Sequence, residues 1–332
     1  DITPQDTAVF GESRIVSEWG MRRPIQHVRS SVQGAYHIEN KGFRNRYWFR
    51  YALNQVSSDL TNRGISEIVA GTENAFQWKG LELNLDGFFG TTYGAVLLDF
   101  YPKASYEIDG VGALDFGFRI HSEPSGYQWN NLEITFVELE NNDAFTLSSQ
   151  EIYGSLAIPE VGLKARVSSY AGQNIPVLDT TGTSVTPISI AYLQVDIQED
   201  FKYKWFHFDN QFVTQLGSNS VYSMPQFYTR HKLYLVGKLF HALNFQSGIS
   251  ADFAPAYSVP AYSPLYTAFY DSKEDPSRVY YRLDVFASIK VQGFRFFAKY
   301  ENLNGLWDEQ VLFQVADYPQ LDGRFRLGIS WT

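Results

Sequence analysis

Between Arg278 and Thr332, polar and apolar residues alternate with a period of two. In the first run Val279, Tyr281, Leu283, Val285, Ala287, Ile289 and Val291 fall on one side. Arg278, Tyr280, Arg282, Asp284, Ser288, Lys290 and Gln292 fall on the other, with Phe286 as the exception. The second run sets Phe294, Phe296, Ala298 and Tyr300 against Arg295, Phe297, Lys299 and Glu301. The third sets Phe325, Leu327, Ile329 and Trp331 against Arg324, Arg326, Gly328, Ser330 and Thr332. Such alternation marks a β-strand with two unlike faces. Ordinary strands run ~5–6 residues, whereas these approach the ~9–11 residues that cross a bilayer at a tilt. The expected fold is all-β: an antiparallel transmembrane β-barrel, with lipid against the apolar face and water against the polar one.

The same rhythm starts at Ser31. Phe43, Tyr47, Phe49, Tyr51 and Leu53 oppose Arg44, Arg46, Trp48 and Arg50. Leu98, Phe100, Ala104 and Tyr106 oppose Asp99, Tyr101, Lys103, Ser105 and Glu107, and Asp109-Gly110 follows as a tight-turn signal. Similar runs recur near Leu163, Leu193, Phe206, Leu233 and Leu243, without a domain boundary. One span with its turn takes roughly 20–25 residues, which predicts roughly 14 strands, within about 12–16. Residues 1–30 are weakly periodic and broken by Pro4 and Pro24. They read as an N-terminal segment or partial strand ahead of a barrel over residues 31–332. The stretches Gly172 to Pro187 and Ala254 to Ser272 read as long loops.

The alternation assigns side chains to faces. Arg44, Arg46, Arg50, Arg119, Lys232, Lys238, Arg282, Asp284, Lys290, Arg295, Lys299, Glu301, Arg324 and Arg326 are expected to line the lumen. Leu283, Val285, Ile289, Phe296, Leu327 and Ile329 are expected to face lipid. Tyr51, Tyr106, Tyr281, Tyr300 and Trp331 are expected in two belts at headgroup level, where an amphipathic ring is most favourable.

Composition fits this picture. Aromatic residues make up 17% of the 332 positions, as aromatic girdles require. Cys is absent, which excludes disulfide staples and thiolate chemistry. The mean hydropathy of −0.25 is no argument for solubility, because half of each barrel strand faces water. No run reaches the ~18–20 apolar residues of a membrane helix. No signal peptide is expected, and Asp1 reads as the start of a mature or trimmed chain. A net charge of −9 speaks against a nucleic-acid partner.

Clusters able to carry chemistry are sparse. None of the six histidines falls in an H-E-x-x-H motif or a metal-spaced pair, and no metal or cofactor is expected. His121 with Glu123 and His207 with Asp209 are i, i+2 pairs on one strand face. They suit either an oriented general base or plain lumen hydrogen bonds, and the second reading is favoured. No G-x-S-x-G occurs. A Ser–His–Asn hydrolase on the wall is a matter of geometry, and no catalytic residue is expected. Glu138, Glu140 and Asp143 read as a solvated loop ahead of a Ca²⁺ site. Tyr257, Tyr262, Tyr266 and Tyr270 read as girdle or loop packing ahead of a sugar grip. Basic groups outnumber acids on the polar faces, so an open lumen is expected to lean toward anions unless opposite charges merely pair across strands.

Four segments carry a resemblance: Tyr228 to Phe240 (YTRHKLYLVGKLF), Ala254 to Tyr257, Phe294 to Asn302 (FRFFAKYEN) and Arg324 to Trp331 (RFRLGISW). Together they resemble the putative porin family of Bacteroidota. The resemblance implies an integral outer-membrane β-barrel without catalytic residues to carry over. Members usually extend further upstream and a few residues past Thr332, which implies missing N-terminal strands and a shortened last strand. The expected function is an outer-membrane channel for passive diffusion of small polar solutes. The alternative is a non-conducting barrel that serves as an interaction or structural component of a larger envelope complex. Outer-membrane lipid and small polar solutes are the expected partners, with protein partners in such a complex under the alternative.

Overall fold

The computed structural model describes residues 26–57, 62–92, 95–125, 133–134, 137–138, 145–182, 184–217, 225–240, 243–263, 268–271, 279–307, 313–316, 318–319 and 322–331. Fifteen strands form one sheet, and their order in the sheet is their order in the chain. They are β1 (Gln26–Asn40), β2 (Phe43–Ser57), β3 (Asn62–Trp78), β4 (Leu81–Thr92) and β5 (Ala95–Ile108). Next come β6 (Gly112–Pro124), β7 (Thr146–Ile158), β8 (Leu163–Leu178), β9 (Val185–Tyr203) and β10 (Phe206–Gly217). The last five are β11 (Phe227–Leu239), β12 (Leu243–Ala254), β13 (Tyr280–Val291), β14 (Phe294–Glu301) and β15 (Arg324–Trp331). Every neighbouring pair is antiparallel. Within the described residues the sheet is not closed: β1 and β15 each pair on one side only.

An up-and-down order puts alternate connections at opposite ends. One end carries tight turns such as Lys79-Gly80, where φ is 44° and 81°. Positive φ at both central positions is the primed turn that matches the twist of flanking strands, and glycine meets the second at no steric cost. The other end carries the long connections after β6, β12 and β14.

Burial is inverted relative to a water-soluble sheet. On the apolar face Leu327 is 72% exposed and Phe116 60%, while on the polar face Asp252 is 5% exposed and Asp284 2%. In water this arrangement is unfavourable on both faces. With hydrocarbon outside, both faces are satisfied. Leu283, Val285, Ile289, Phe296, Leu327 and Ile329 share the apolar face through the registers Val285↔Ile249, Ile289↔Phe296 and Phe296↔Ile329. Among the aromatics, Tyr106 and Trp331 stand at the tight-turn end of their strands, and Tyr281 and Tyr300 at the long-connection end. Tyr51 sits in the interior of β2.

Three features differ from the sequence reading. The first strand begins at Gln26, ahead of residue 31. The stretch Gly172 to Pro187 is not a long loop: β8 runs to Leu178 and β9 starts at Val185. A register shift between Gly172 and Ile175 breaks the alternation there, and this masks the strand in the sequence. A whole strand, β3, occupies Asn62–Trp78, where no run is identified in the sequence. Its polar face carries Ile65 before Glu67, and Val69 and Gly71 between Glu67 and Glu73, so the contrast between faces is weak.

Among the described strand residues, Glu199 is the one Asp, Glu, Lys or Arg on the apolar face. It stands on β9 beside Asn210 of β10, whose Nδ2 donates to Glu199 Oε2 at 3.3 Å. Asn210 Oδ1 in turn meets His231 Nδ1 at 2.8 Å. Two expectations follow for bilayer refolding. Val285→Arg should disfavour folding by ~2–4 kcal/mol if Val285 lies near the midplane; an unchanged folding free energy would refute the face assignment. Glu199→Leu should stabilise the fold by about 1 kcal/mol, because a lone carboxyl leaves the hydrocarbon. A loss of stability would show that the Asn210 contact outweighs its desolvation.

Candidate functional site

The polar face is the site, and its charges are organised into cross-strand ladders. On β1–β3, Arg29 and Arg50 both donate to Glu67 Oε1, at 2.9 and 2.7 Å, and Arg46 donates to Glu73 at 2.6 Å. On β5–β8, Arg119 grips Asp99 with two bonds of 3.0 and 2.6 Å, Lys103 lies 3.3 Å from Asp115, and Arg166 donates to Glu151 at 2.6 Å. The longest ladder crosses five strands. Arg230 of β11 and Arg282 of β13 share Asp252 of β12; Arg282 Nε lies 3.7 Å from Asp284. Lys299 of β14 reaches Asp284 at 2.9 Å and Glu301 at 3.2 Å, and Glu301 accepts from Arg324 and Arg326 of β15 at 2.8 and 2.7 Å. Pairs this exposed contribute ~0–1 kcal/mol each. Asp252 and Asp284 are deeper, and removing their cations would leave a buried charge unpaired.

Aromatic rings fill the wall between the ladders. Trp48, Tyr153 and Phe297 each lie over the glycine directly opposite, Gly71, Gly117 and Gly328. A Cβ at those glycines would sit 2.2–2.3 Å from the ring. The missing side chain lets each ring lie flat on the backbone. Phe286, the exception in its run, has the same kind of role: Lys232 Nζ stands 5.1 Å from its ring centroid and 4.6 Å from that of Tyr234.

All fourteen residues expected to line the lumen share this one face. Arg46, Arg50, Arg119, Arg282, Asp284, Lys299, Glu301, Arg324 and Arg326 join ladders. Arg44 and Lys232 do not, and neither do Lys238, Lys290 and Arg295. The last three stand at the tight-turn end on β11, β13 and β14, linked through Lys238↔Asn244, Asn244↔Lys290 and Lys290↔Arg295. Among the described residues none of the three has an acid within ion-pair distance. Lys290 and Arg295 are like charges placed directly opposite, an arrangement that disfavours the sheet.

Sequence reasoning missed Glu67, Glu73 and Glu151. The signal was present: Arg63, Glu67 and Glu73, the charges of β3, all have the same parity. With these acids the basic excess of the polar face shrinks toward balance. His121 lies 3.5 Å from both Asp99 and Glu123, and the His207 ring stacks on Tyr234 at 5.0 Å. Tyr234 donates to Asp209 at 3.2 Å, so Asp209 is engaged by a phenol and not by an imidazole. Glu140, Asp143 and Tyr266 lie outside the described residues.

At the long-connection end of the longest ladder is a cavity of about 210 Å³, lined by Pro225, Tyr228, Arg230, Asp252, Ala254, Tyr257, Tyr280 and Arg282. Ala254 and Tyr280 are buried at its base, and Tyr228 and Tyr257 pack against them. Tyr257 follows β12 in the chain; burial, and then the neighbouring Tyr280, push its hydroxyl pKa up, so it stays a neutral donor.

The chain matches the family described as "Putative porin" over residues 26–332. No curated protein matches the sequence. Among solved structures it is similar to the FrpB iron transporter from Neisseria meningitidis at 8% identity and a TM-score of 0.61, covering 92% of this chain and 55% of that one. The copper transporter OprC is similar at 10% identity and a TM-score of 0.63, covering 93% of this chain and 57% of that one. The ferripyoverdine receptor of the Pseudomonas aeruginosa outer membrane is similar at 9% identity and a TM-score of 0.57, covering 92% and 48%. The chain thus spans about half the length of the solved barrels it matches. A sheet that exposes its apolar face, shares the fold of outer-membrane barrels and matches one family along almost its whole length places this chain in the "Putative porin" family, as an integral outer-membrane β-barrel protein.

Proposed function

We propose that the protein is an outer-membrane channel through which small polar solutes diffuse passively, with the polar face as the wall of a water-filled lumen. The observation that carries this reading is the continuity of that face: fifteen adjacent strands present a polar side, which carries three ladders of paired charges, and exposed hydrocarbon on the other. A wall of paired charges is wettable without a strong overall field, which suits a diffusion path. The lean toward anions is local. It rests on the unpaired row Lys238, Lys290 and Arg295 near the tight-turn mouth, and no longer on a basic excess of the whole wall.

A specific observation favours a second reading, a non-conducting barrel whose connections dock a partner in an envelope complex. Connections at the long end pack on one another. Ser263 Oγ donates to the Gly182 carbonyl at 2.8 Å, and the Ala316 amide donates to the Pro260 carbonyl at 2.8 Å. Leu178 and Val185 are buried there against Phe145, Ala268 and Tyr270.

Conductance of the purified chain in planar bilayers separates the readings. The channel reading expects stable conductance steps; their absence supports the docking reading. In a salt gradient the reversal potential should show anion preference. Lys290→Ser with Arg295→Ser should move it toward zero and leave the fold intact, because both changes relieve like-charge repulsion. Cation preference in the parent protein would refute the local anion lean.

A further inference from the structure

The cavity at the end of the longest ladder is unlike the rest of the wall. At Gly71, Gly117 and Gly328 the wall's rings lie flat over glycines. Here three tyrosines stand around two arginines that hold one carboxylate between them. Arg230 spends its Nε on Asp252 at 2.8 Å and its Nη2 on the Tyr228 hydroxyl at 2.8 Å. Arg282 spends its Nη2 on the other Asp252 oxygen. Its Nε is buried and makes no hydrogen bond. The Nη1 nitrogen of each guanidinium is uncommitted among the described residues. Arg282 is shared between Asp252 and Asp284, while Arg230 has Asp252 as its acid and remains half exposed at the mouth of the cavity.

These groups select a ligand chemistry. Two uncommitted Nη1 groups, one from each guanidinium, favour a carboxylate, whose two oxygens accept charge-assisted N–H bonds. Tyrosine walls offer a flat apolar face with a polar tip, matched by a ring that has C–H faces and hydroxyl edges. The volume of about 210 Å³ holds one such ring and falls below the ~300–1,000 Å³ of drug-sized sites. We infer that this cavity binds a carboxylate-bearing, polyhydroxylated ring the size of one monosaccharide, at the long-connection mouth of the barrel. The inference rests on the reading of the polar face as a water-filled lumen. It adds to that reading a station where an acidic sugar pauses before passage.

The test is calorimetric titration of the full chain, folded in detergent micelles, with D-galacturonate, D-galactose and acetate. Galacturonate should bind at least about tenfold more tightly than either of the others, the gain expected of one charge-assisted paired contact. Arg230→Gln should abolish that advantage, with far-ultraviolet circular dichroism and heat-modifiable mobility unchanged. If Arg230→Gln does not fold, Tyr257→Ala removes one wall from outside the strands, and it should weaken galacturonate binding by roughly tenfold. Equal affinity for galactose would overturn the role of the arginines, equal affinity for acetate would overturn ring recognition, and absence of millimolar binding would overturn the site. Conductance on the same preparation keeps the two proposals apart. A protein that conducts without binding galacturonate sinks the site alone, and one that binds without conducting sinks the channel alone.

Discussion

Backbone hydrogen bonding sets the terms for everything else. In hydrocarbon no water is available for an N–H or C=O, so each must find a partner on an adjacent strand. This requirement explains strands of 12–19 residues from β1 to β13 and the strictly consecutive order. It also fixes the side-chain pattern, because a one-residue slip would turn Asp252 and Asp284 into lipid and Leu283 and Val285 into water. The edges β1 and β15 carry the same demand: their outer rows of amides and carbonyls call for a strand partner before they can lie in a membrane.

Given that backbone, the polar face must be hydrated or internally satisfied. The ladders do the second. Asp252 is wedged between two arginines, and Glu301 takes Lys299, Arg324 and Arg326 at once. A carboxylate with several cations loses little when partly buried, because each partner replaces a share of its hydration. The rings over Gly71, Gly117 and Gly328 serve a related end. They cover backbone with flat surface and keep the polar face smooth at those positions.

The parts legible in the sequence are those governed by strict alternation. In β13, β14 and β15 the alternation read in the sequence recurs in the strand register, because there the contrast between Leu, Ile or Val and Arg, Lys or Asp is large. Legibility fell where contrast fell. In β3 the apolar face is Ser66, Ile68, Ala70 and Thr72, and the polar face holds Ile65 and Val69, so hydropathy does not distinguish the sides. Missing that strand hid Glu67 and Glu73, and the wall looked more basic than it is. The ladders themselves were not legible, since a cross-strand partner depends on register and register on which residues belong to the turns. The same holds for the rim cavity. Tyr228, Asp252 and Tyr280 are far apart in sequence and meet only because three strands align them.

Glu199 shows how stringent the apolar face is, and where it relaxes. Uncharged polar residues recur there when a neighbour takes their hydrogen bonds. Asn74 donates to Thr72 and to the Leu85 carbonyl, near the tight-turn end where hydrocarbon gives way to headgroups. Glu199 lies four residues along β9 from Tyr203, which at 3.3 Å per residue and a tilt of ~40° is roughly 10 Å into the apolar band. At that depth a carboxyl group costs free energy unless neighbouring groups take its hydrogen bonds. Asn210 supplies one hydrogen bond and His231, the next group in line, supplies none to Glu199 directly. Asn210 orients both ends of this line: its amide N–H points at the carboxyl and its carbonyl at the imidazole. The three side chains form a polar chain running obliquely across three strands on a face that elsewhere admits no charge. Its hydrogen bonds recover only part of the desolvation cost, since no cation on the apolar face stands within reach of it among the described residues.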